Sequence, residues 1–241
     1  MKSILLILMV AALTSLIAER AEAMTPEEML KKIHWLGQAT VKIEAGEQII
    51  YIDPVYNLEE THDADLILIT HSHQDHYDIG KLKLLVQEGT VVIAPGDITA
   101  KIDDALGTTS VAAEPGFSTT VGAVAIEAVP AYNIVKTKFH PKANNWVGYV
   151  LTIDGVRVYH AGDTERVPEM QEFTADIAML PLGQTYTMHS VEEAADAVRD
   201  VQAKIAIPIH YGMYEGTAAD AQKFAELLQG EMSVVLMDAP R

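Results

Sequence analysis

From residue 40 onward, short apolar runs alternate with turn residues in a rhythm that predicts strands carrying helices between them. Thr40–Ile43 and Gln48–Ile52 read as two strands turned at Ala45-Gly46-Glu47, and the second runs straight into Asp53-Pro54. Leu66–Thr70 is a continuous apolar strand, after which Ile79–Gln87 has helical spacing and stops at Gly89. Strand candidates follow at Val91–Ala94, Val121–Val129 and Trp146–Ile153. Beyond Gly155 the theme recurs: strand Val156–His160, a polar turn at Gly162-Asp163-Thr164 and strand Ile177–Leu180. Helix Val191–Val201 comes next, with Ser190 as N-cap and Glu193 at the capping-box position. Strand Ile205–Ile209 then leads to His210, and helix Ala218–Leu228 is ended by Gly230. Two similar halves, each a sheet backed by helices, predict an α/β protein built as a four-layer αββα sandwich, with polar residues gathered where strands end.

The first residues follow a different pattern. Lys2 supplies a positive start, Ile4–Ala18 a 15-residue apolar stretch, and Ala21-Glu22-Ala23 a small-residue cleavage site, the layout of a secretory signal peptide. The stretch is shorter than the roughly 20 residues that span a bilayer, so residues 1–23 are expected to be removed after Ala23, without stable membrane insertion, and the protein to be periplasmic or secreted. Residues 24–241 then fit one large domain, and a hydrophobic fraction of 49% is ample for its core. The net charge of −17 argues against nucleic acid as a partner, because phosphates are met by basic surfaces. With no cysteine, a disulfide framework, a thiolate metal site and a thiol nucleophile are all excluded.

The stretch His71-Ser72-His73-Gln74-Asp75-His76 packs three imidazoles and a carboxylate into six residues, directly after Leu66-Ile67-Leu68-Ile69. In extended backbone, side chains at i and i+2 point the same way, so His71 and His73 can address one ion while Asp75 and His76 turn toward a second. Zinc accepts such nitrogen and oxygen donors, and a catalytic site leaves one position open for water. The bland alternative is a polar loop that happens to be rich in histidine; the density of metal-binding side chains favours the metal site.

Together with Asp53, with Asp163 in Ala161-Gly162-Asp163-Thr164 and with His210 in Ile207-Pro208-Ile209-His210-Tyr211, this cluster resembles the metallo-β-lactamase superfamily over nearly the whole chain after residue 23. Ile33-His34-Trp35-Leu36-Gly37, Tyr159-His160-Ala161-Gly162-Asp163-Thr164 and Leu180-Pro181-Leu182-Gly183 resemble the branch that holds L-ascorbate phosphate lactonase and N-acyl phosphatidylethanolamine phospholipase D. The resemblance implies two divalent metal ions: His71 and His73 on one, Asp75, His76 and His210 on the other, with Asp163 bridging. Zinc is the default ion, although the same donors serve manganese and iron. Asp53 is implied to orient the ligands rather than to bind. Catalysis would then fall to Asp75 and Asp163 around a metal-bridging hydroxide.

In one place the sequence departs from that pattern. Relatives often carry a third histidine for the first metal where this chain reads Pro130-Ala131-Tyr132-Asn133, so either Asn133 or His140, seven residues on, is expected to complete the site, or water does. Imidazole suits zinc better than a neutral amide, which favours His140. His160 is expected to pack or support the site rather than bind. His34 is taken as structural, beneath the site; His62 as a solvated loop residue; and His189 as facing either pocket or surface. Lys136, Lys138 and Lys142 form a basic island beside His140, either an anion clamp or plain solvated lysines. Tyr132, Tyr186 and Tyr211 flank the metal motifs and are weaker candidates for contact with substrate.

The reading that follows is a metal-dependent hydrolase acting on an ester, lactone or phosphodiester bond of a small molecule. A non-catalytic metal- or ligand-binding protein on the same fold is the alternative, and the superfamily makes a homo-oligomer possible.

Overall fold

The computed structural model describes residues 24–238, so the expected signal segment lies outside the described residues. Among the described residues, thirteen strands form two sheets. The first runs in sequence order through β1 (Ile33–Gly37), β2 (Thr40–Ala45), β3 (Gln48–Ile52), β4 (Ala64–Leu68), β5 (Val86–Pro95) and β6 (Val111–Ala113), antiparallel up to β3 and parallel from there on. The second comprises β7 (Ser118–Val121), β8 (Val124–Pro130), β9 (Val147–Ile153), β10 (Val156–His160), β11 (Ile177–Pro181), β12 (Ile205–Ile209) and β13 (Ser233–Val234). It is antiparallel up to β10 and parallel beyond.

Three apolar layers hold four layers of structure together. Between the sheets, Val41, Ile43, Ile52 and Leu66 meet Ile126, Tyr149, Leu151 and Ile207. The outer face of the first sheet packs Ile67, Ile69 and Val92 on Leu82 and Leu85 of α2 (Ile79–Leu85) and Ile102 of α3 (Thr99–Leu106). On the far side, Val150, Tyr159 and Ala206 meet Ala194 and Val198 of α4 (Val191–Asp200) and Phe224 of α5 (Ala218–Leu227). Alternate residues of a strand point to opposite faces, and in β4 both faces are covered, which is why Leu66, Ile67 and Leu68 can all be apolar. The αββα sandwich expected from the sequence is the fold observed.

Several local readings are corrected. The helix expected over Ile79–Gln87 stops at Leu85 because Val86 is already extended (φ −65°, ψ 138°) and begins β5. Gly89, with φ +91°, marks a bulge inside that strand rather than a helix end: the pairing of β4 with β5 jumps from Val86 to Val91. The strand expected at Val121–Val129 is a hairpin, β7 and β8, turned at Gly122. At the start of α4, Ser190 Oγ accepts the Glu193 N–H at 3.1 Å, but the Glu193 carboxylate caps the His189 N–H, so only half of the expected capping box forms. Strands β1, β6 and β13 and helices α1 (Pro26–Leu30) and α3 had no counterpart among the expected elements.

Two glycines set how closely the sheets' ends approach the site. Gly162 turns with φ +63° directly before Asp163, and a Cβ there would lie 2.9 Å from Thr70 Cβ. Gly148 in β9 faces the carbonyl oxygens of His160 and Ala161, each 2.8 Å from where a Cβ would stand. Gly148→Ala is therefore expected to cost about 1–3 kcal/mol through backbone displacement. A lowered urea midpoint at unchanged slope checks this, and an unchanged midpoint contradicts it.

Candidate metal centre

The polar residues of the site stand just past the ends of strands that meet at one rim of the sandwich. Asp53 follows β3, His71 lies three residues past β4, Asp163 three past β10, and His210 directly follows β12. Both Asp53 (φ +47°) and His210 (φ +60°) occupy the left-handed region, which non-glycine residues hold only when their surroundings fix them. The fixing bonds are present: Asp53 N–H donates to the Leu68 carbonyl at 2.9 Å and His210 N–H to the Gln38 carbonyl at 2.8 Å.

Seven side chains converge in two groups that share one carboxylate. His71, His73, His140 and Asp163 form the first, and Asp75, His76, His210 and Asp163 the second. Asp163 divides its oxygens between them. Its Oδ2 lies 3.3 Å from His140 Nε2 and 3.8 Å from His71 Nε2, and its Oδ1 lies 3.1 Å from His210 Nε2 and 3.2 Å from His76 Nε2. In the first group His71 Nε2 is 3.1 Å from His73 Nδ1; in the second, Asp75 Oδ2 is 3.6 Å from both His76 Nε2 and His210 Nε2.

These spacings fit a bound cation. Ligands at roughly 2.1 Å from a tetrahedral zinc ion are separated from each other by about 3.4 Å, the middle of the distances found here. Buried polar atoms normally find hydrogen-bond partners, yet His76 Nε2, His140 Nε2 and Asp163 Oδ1 are buried with none, although each has a polar neighbour within about 3.3 Å. Close approach without hydrogen-bond alignment is what a shared ion between them would satisfy.

The electrostatics point the same way. Burial, reinforced by His76, holds His71 well below the ordinary imidazole value, and burial with His140 lowers His73. Burial also opposes charge on His76 and His210, but Asp163 outweighs it, joined by Asp53 at His76, and both imidazoles are raised well above their usual value. Asp163 is correspondingly held far below the carboxylate range, His210 and His76 overcoming its burial. Two carboxylates thus already draw positive charge into the rim, a place that a divalent cation can take.

Ring tautomers are set from behind. Asp53, fully buried, accepts from Thr70 N–H at 2.8 Å and Thr70 Oγ–H at 2.6 Å, and its Oδ2 lies 2.7 Å from His76 Nδ1. The proton on Nδ1 leaves His76 Nε2 open for a metal. Because Thr70 Oγ spends its hydrogen on Asp53, it accepts from His71 Nδ1 at 3.0 Å and frees Nε2 there as well. Glu215 Oε1 stands 3.0 Å from His210 Nδ1, an ion-pair contact on the far side of that ring. Glu215 was not among the residues expected from the sequence; nor was Gln38, whose Nε2 lies 3.0 Å from Asp75 Oδ2 and 2.7 Å from His210 Nε2. An ion on His210 would have to displace that second contact. The only sequence signal for Glu215 is a lone acid five residues after His210, within a loop that reads as solvent-facing.

Of the two candidates to complete the first group, His140 lies in it and Asn133 beside it. Asn133 Nδ2 donates to the carbonyls of Tyr186 (2.7 Å) and Lys136 (3.2 Å), and its N–H to the His140 carbonyl at 2.7 Å, so it braces the loop that delivers His140. Glu165 does the same from the other side, accepting the backbone N–H groups of Ile134, Val135 and Lys136 at 2.7, 2.7 and 3.0 Å. His160 is buried outside both groups, its Nε2 2.9 Å from the Ala39 carbonyl and its Nδ1 accepting from Gly162 N–H. His34 is on the surface beside Glu44, which corrects its expected place beneath the site. His62 is exposed beside Glu60, and His189 is half-exposed with Nε2 3.5 Å from Glu165.

The basic island does not face the cleft: Lys136 Nζ donates to the Gln184 and Met188 carbonyls, and Lys142 Nζ to Glu169. Tyr132 also turns toward Glu169 and Tyr211 stacks on Trp35, leaving Tyr186 as the one of the three at the metal rim. The cleft above the two groups measures about 940 Å³.

A sandwich of two sheets between helices, with two histidine–carboxylate groups joined by one aspartate at the strand ends, defines a metal-binding protein of the αββα class. The chain belongs to the beta-lactamase superfamily domain family, whose family model matches residues 32–210. It is 33% identical over 221 residues to a UPF0173 metal-dependent hydrolase of Pyrococcus abyssi, covering 86% of this chain and 96% of that one. Against the corresponding protein of Thermococcus kodakarensis it is 32% identical over 219 residues at the same coverage. A Parabacteroides distasonis crystal structure, provisionally named a metal-dependent hydrolase, superposes with a TM-score of 0.74 at 34% identity, covering 86% of this chain and 93% of that one. Igni18, a metallo hydrolase from Ignicoccus hospitalis, shares the fold at a TM-score of 0.71 and 23% identity, covering 87% and 95%.

Metal titration of variants tests the two roles assigned to side chains here. Glu215→Gln and Asp53→Asn are expected to weaken metal binding by about 10- to 100-fold through loss of ring orientation. His140→Ala is expected to lower the bound metal count, whereas unchanged count and affinity in that variant would remove His140 from the first group.

Proposed function

We propose that this protein is a metal-dependent hydrolase that holds two divalent ions, zinc by default, and cleaves an ester, lactone or phosphodiester bond of a small molecule. The observation that carries this reading is the placement of Asp163, with one carboxylate oxygen in each ligand group. The hydrolase names of relatives above 30% identity over most of both chains support it. When bound, a pair of divalent ions supplies Lewis acidity toward a carbonyl or phosphoryl oxygen and brings the pKa of water near neutrality.

The chain's own residues supply positioning and proton handling. Asp53 and Thr70 hold His76 and His71 in the tautomers that present Nε2, and Glu215 holds His210 from behind. Of the two site carboxylates, Asp75 is 25% exposed and Asp163 4%. Asp75 is therefore the one placed to exchange a proton with a substrate in the cleft, while Asp163 is enclosed among its histidines. His73, half-buried, lines the cleft floor with His140 and His210. The pattern of Lys2, Ile4–Ala18 and Ala21-Glu22-Ala23 supports a periplasmic or secreted setting. No helix among the described residues is long and apolar enough to cross a membrane.

Elemental analysis of protein purified without chelator, run beside a panel of ester, lactone and phosphodiester substrates, tests this function. About two metals per chain and chelator-sensitive turnover are expected, with metal and turnover lost together in Asp163→Ala. Turnover that persists in metal-stripped protein, or metal-loaded protein inert on the whole panel, would overturn it.

A further inference from the structure

Phe139 and Tyr186 stand against each other edge to face, ring centroids 4.9 Å apart and planes at 88°, and both line the cleft that holds His140, Asp163 and His210. They are fixed by their backbones. Tyr186 N–H donates to Glu215 Oε2 at 2.6 Å and its carbonyl accepts from Asn133 Nδ2 at 2.7 Å. Phe139 N–H donates to the Lys136 carbonyl at 3.0 Å, and the next residue is the buried His140. The pair is thus a preformed apolar wall, linked to the first ligand group through His140 and to the second through Glu215 behind His210, and Tyr186 is 37% exposed.

Cations are scarce around the same cleft. Lys136 and Lys142 are committed to Gln184, Met188 and Glu169, and Lys138 lies over the Phe139 ring, 4.5 Å from its centroid. Lys101 is the one lysine lining the cleft, which also carries the carboxylates of Asp75, Asp78 and Asp163. Beyond the metal ions, little remains to grip the negative charge of a phosphodiester, in a chain of net charge −17.

We infer that the Phe139–Tyr186 wall receives the apolar acyl group of a carboxylic ester or lactone, which makes these two residues the determinants of substrate choice. The inference rests on the hydrolase reading above. In the reaction it implies, the oxygen of water bonds to the acyl carbon and the acyl–oxygen bond to the leaving alcohol breaks. One water proton passes to the alcohol and the other to solvent, leaving the carboxylate. An acyl chain laid on the wall gains affinity as each methylene leaves water, about fourfold per methylene at ~0.8 kcal/mol per buried CH₂.

The test uses the metal-loaded full chain with two readouts. The first is kcat/KM for p-nitrophenyl acetate, butyrate, hexanoate and octanoate beside bis(p-nitrophenyl) phosphate; the second is the calorimetric Kd of butanoate, hexanoate and octanoate, which needs no turnover. Wild type is expected to gain about 15-fold per two carbons in both readouts while the chain stays on the wall, and to prefer octanoate ester over the diester. Tyr186→Ala is expected to flatten both slopes by at least tenfold across the series at wild-type metal content, and Tyr186→Phe to keep them. A flat wild-type series, an equal slope in Tyr186→Ala, or preference for the diester would overturn the inference. If the metal-loaded protein turns over nothing, the hydrolase reading fails, and the alkanoate series alone then decides the wall: rising affinity sustains it and flat affinity overturns it.

Discussion

A carboxylate cut off from water must be met by positive charge, and the ion-pair partners of Asp163 among the described residues are all histidines. Among the described residues, no lysine or arginine pairs with it. In a low-dielectric interior an uncompensated ion is expensive enough to be rare, so this residue fixes what must surround it. Imidazoles from three segments, following β4, β8 and β12, have to arrive within about 4 Å of its two oxygens, each turning Nε2 toward them. The sandwich meets that demand by ending its strands at a common rim, where polar side chains can leave the apolar layers together. The left-handed turns at Asp53 and His210 are part of the same requirement, since each directs a side chain back over the rim.

Behind the ligands stands a ring of buried acids that never reaches the cleft as ligand. Asp53, Glu165 and Glu215 are each buried, and each accepts several hydrogen bonds from neighbouring backbone or hydroxyl donors. Asp53 ties β3 to the histidine cluster, Glu165 ties the turn after Asp163 to the loop before His140, and Glu215 ties residues 185–187 to His210. The metal rim is therefore rigid because three carboxylates neutralise backbone donors that would otherwise lie buried and unpaired.

The strands of the core were legible because their signal is local: β3, β10 and β12 need only short apolar runs bounded by Asp53, Gly155 and His210. The cluster from His71 to His76 was legible because metal ligation demands a density of donors that chance rarely produces. The rest was hidden for two reasons. Gly89 looks the same in sequence whether it ends a helix or bulges a strand, and only the pairing of β4 with β5 distinguishes them. Glu215, Glu165 and Gln38 act through contacts with residues 5 to 172 positions away, and a single acid or amide in a loop carries no periodicity to betray a buried role. The basic island stayed ambiguous for the opposite reason: three lysines near a ligand fit an anion site or a solvated loop equally, and only the structure shows their side chains ending on carbonyls, on Glu169 and on a ring face.

The bonds that Glu215 and Asn133 make to residues 185 and 186 go to main-chain atoms. A side chain at position 186 can therefore be exchanged without disturbing the anchors of the loop that carries it. Such an arrangement separates two things that enzymes often entangle, the part that must stay fixed for metal chemistry and the part that meets a changing environment. Descendants of this chain can drift in what they recognise by single substitutions on the cleft wall, while inheriting an unaltered metal rim.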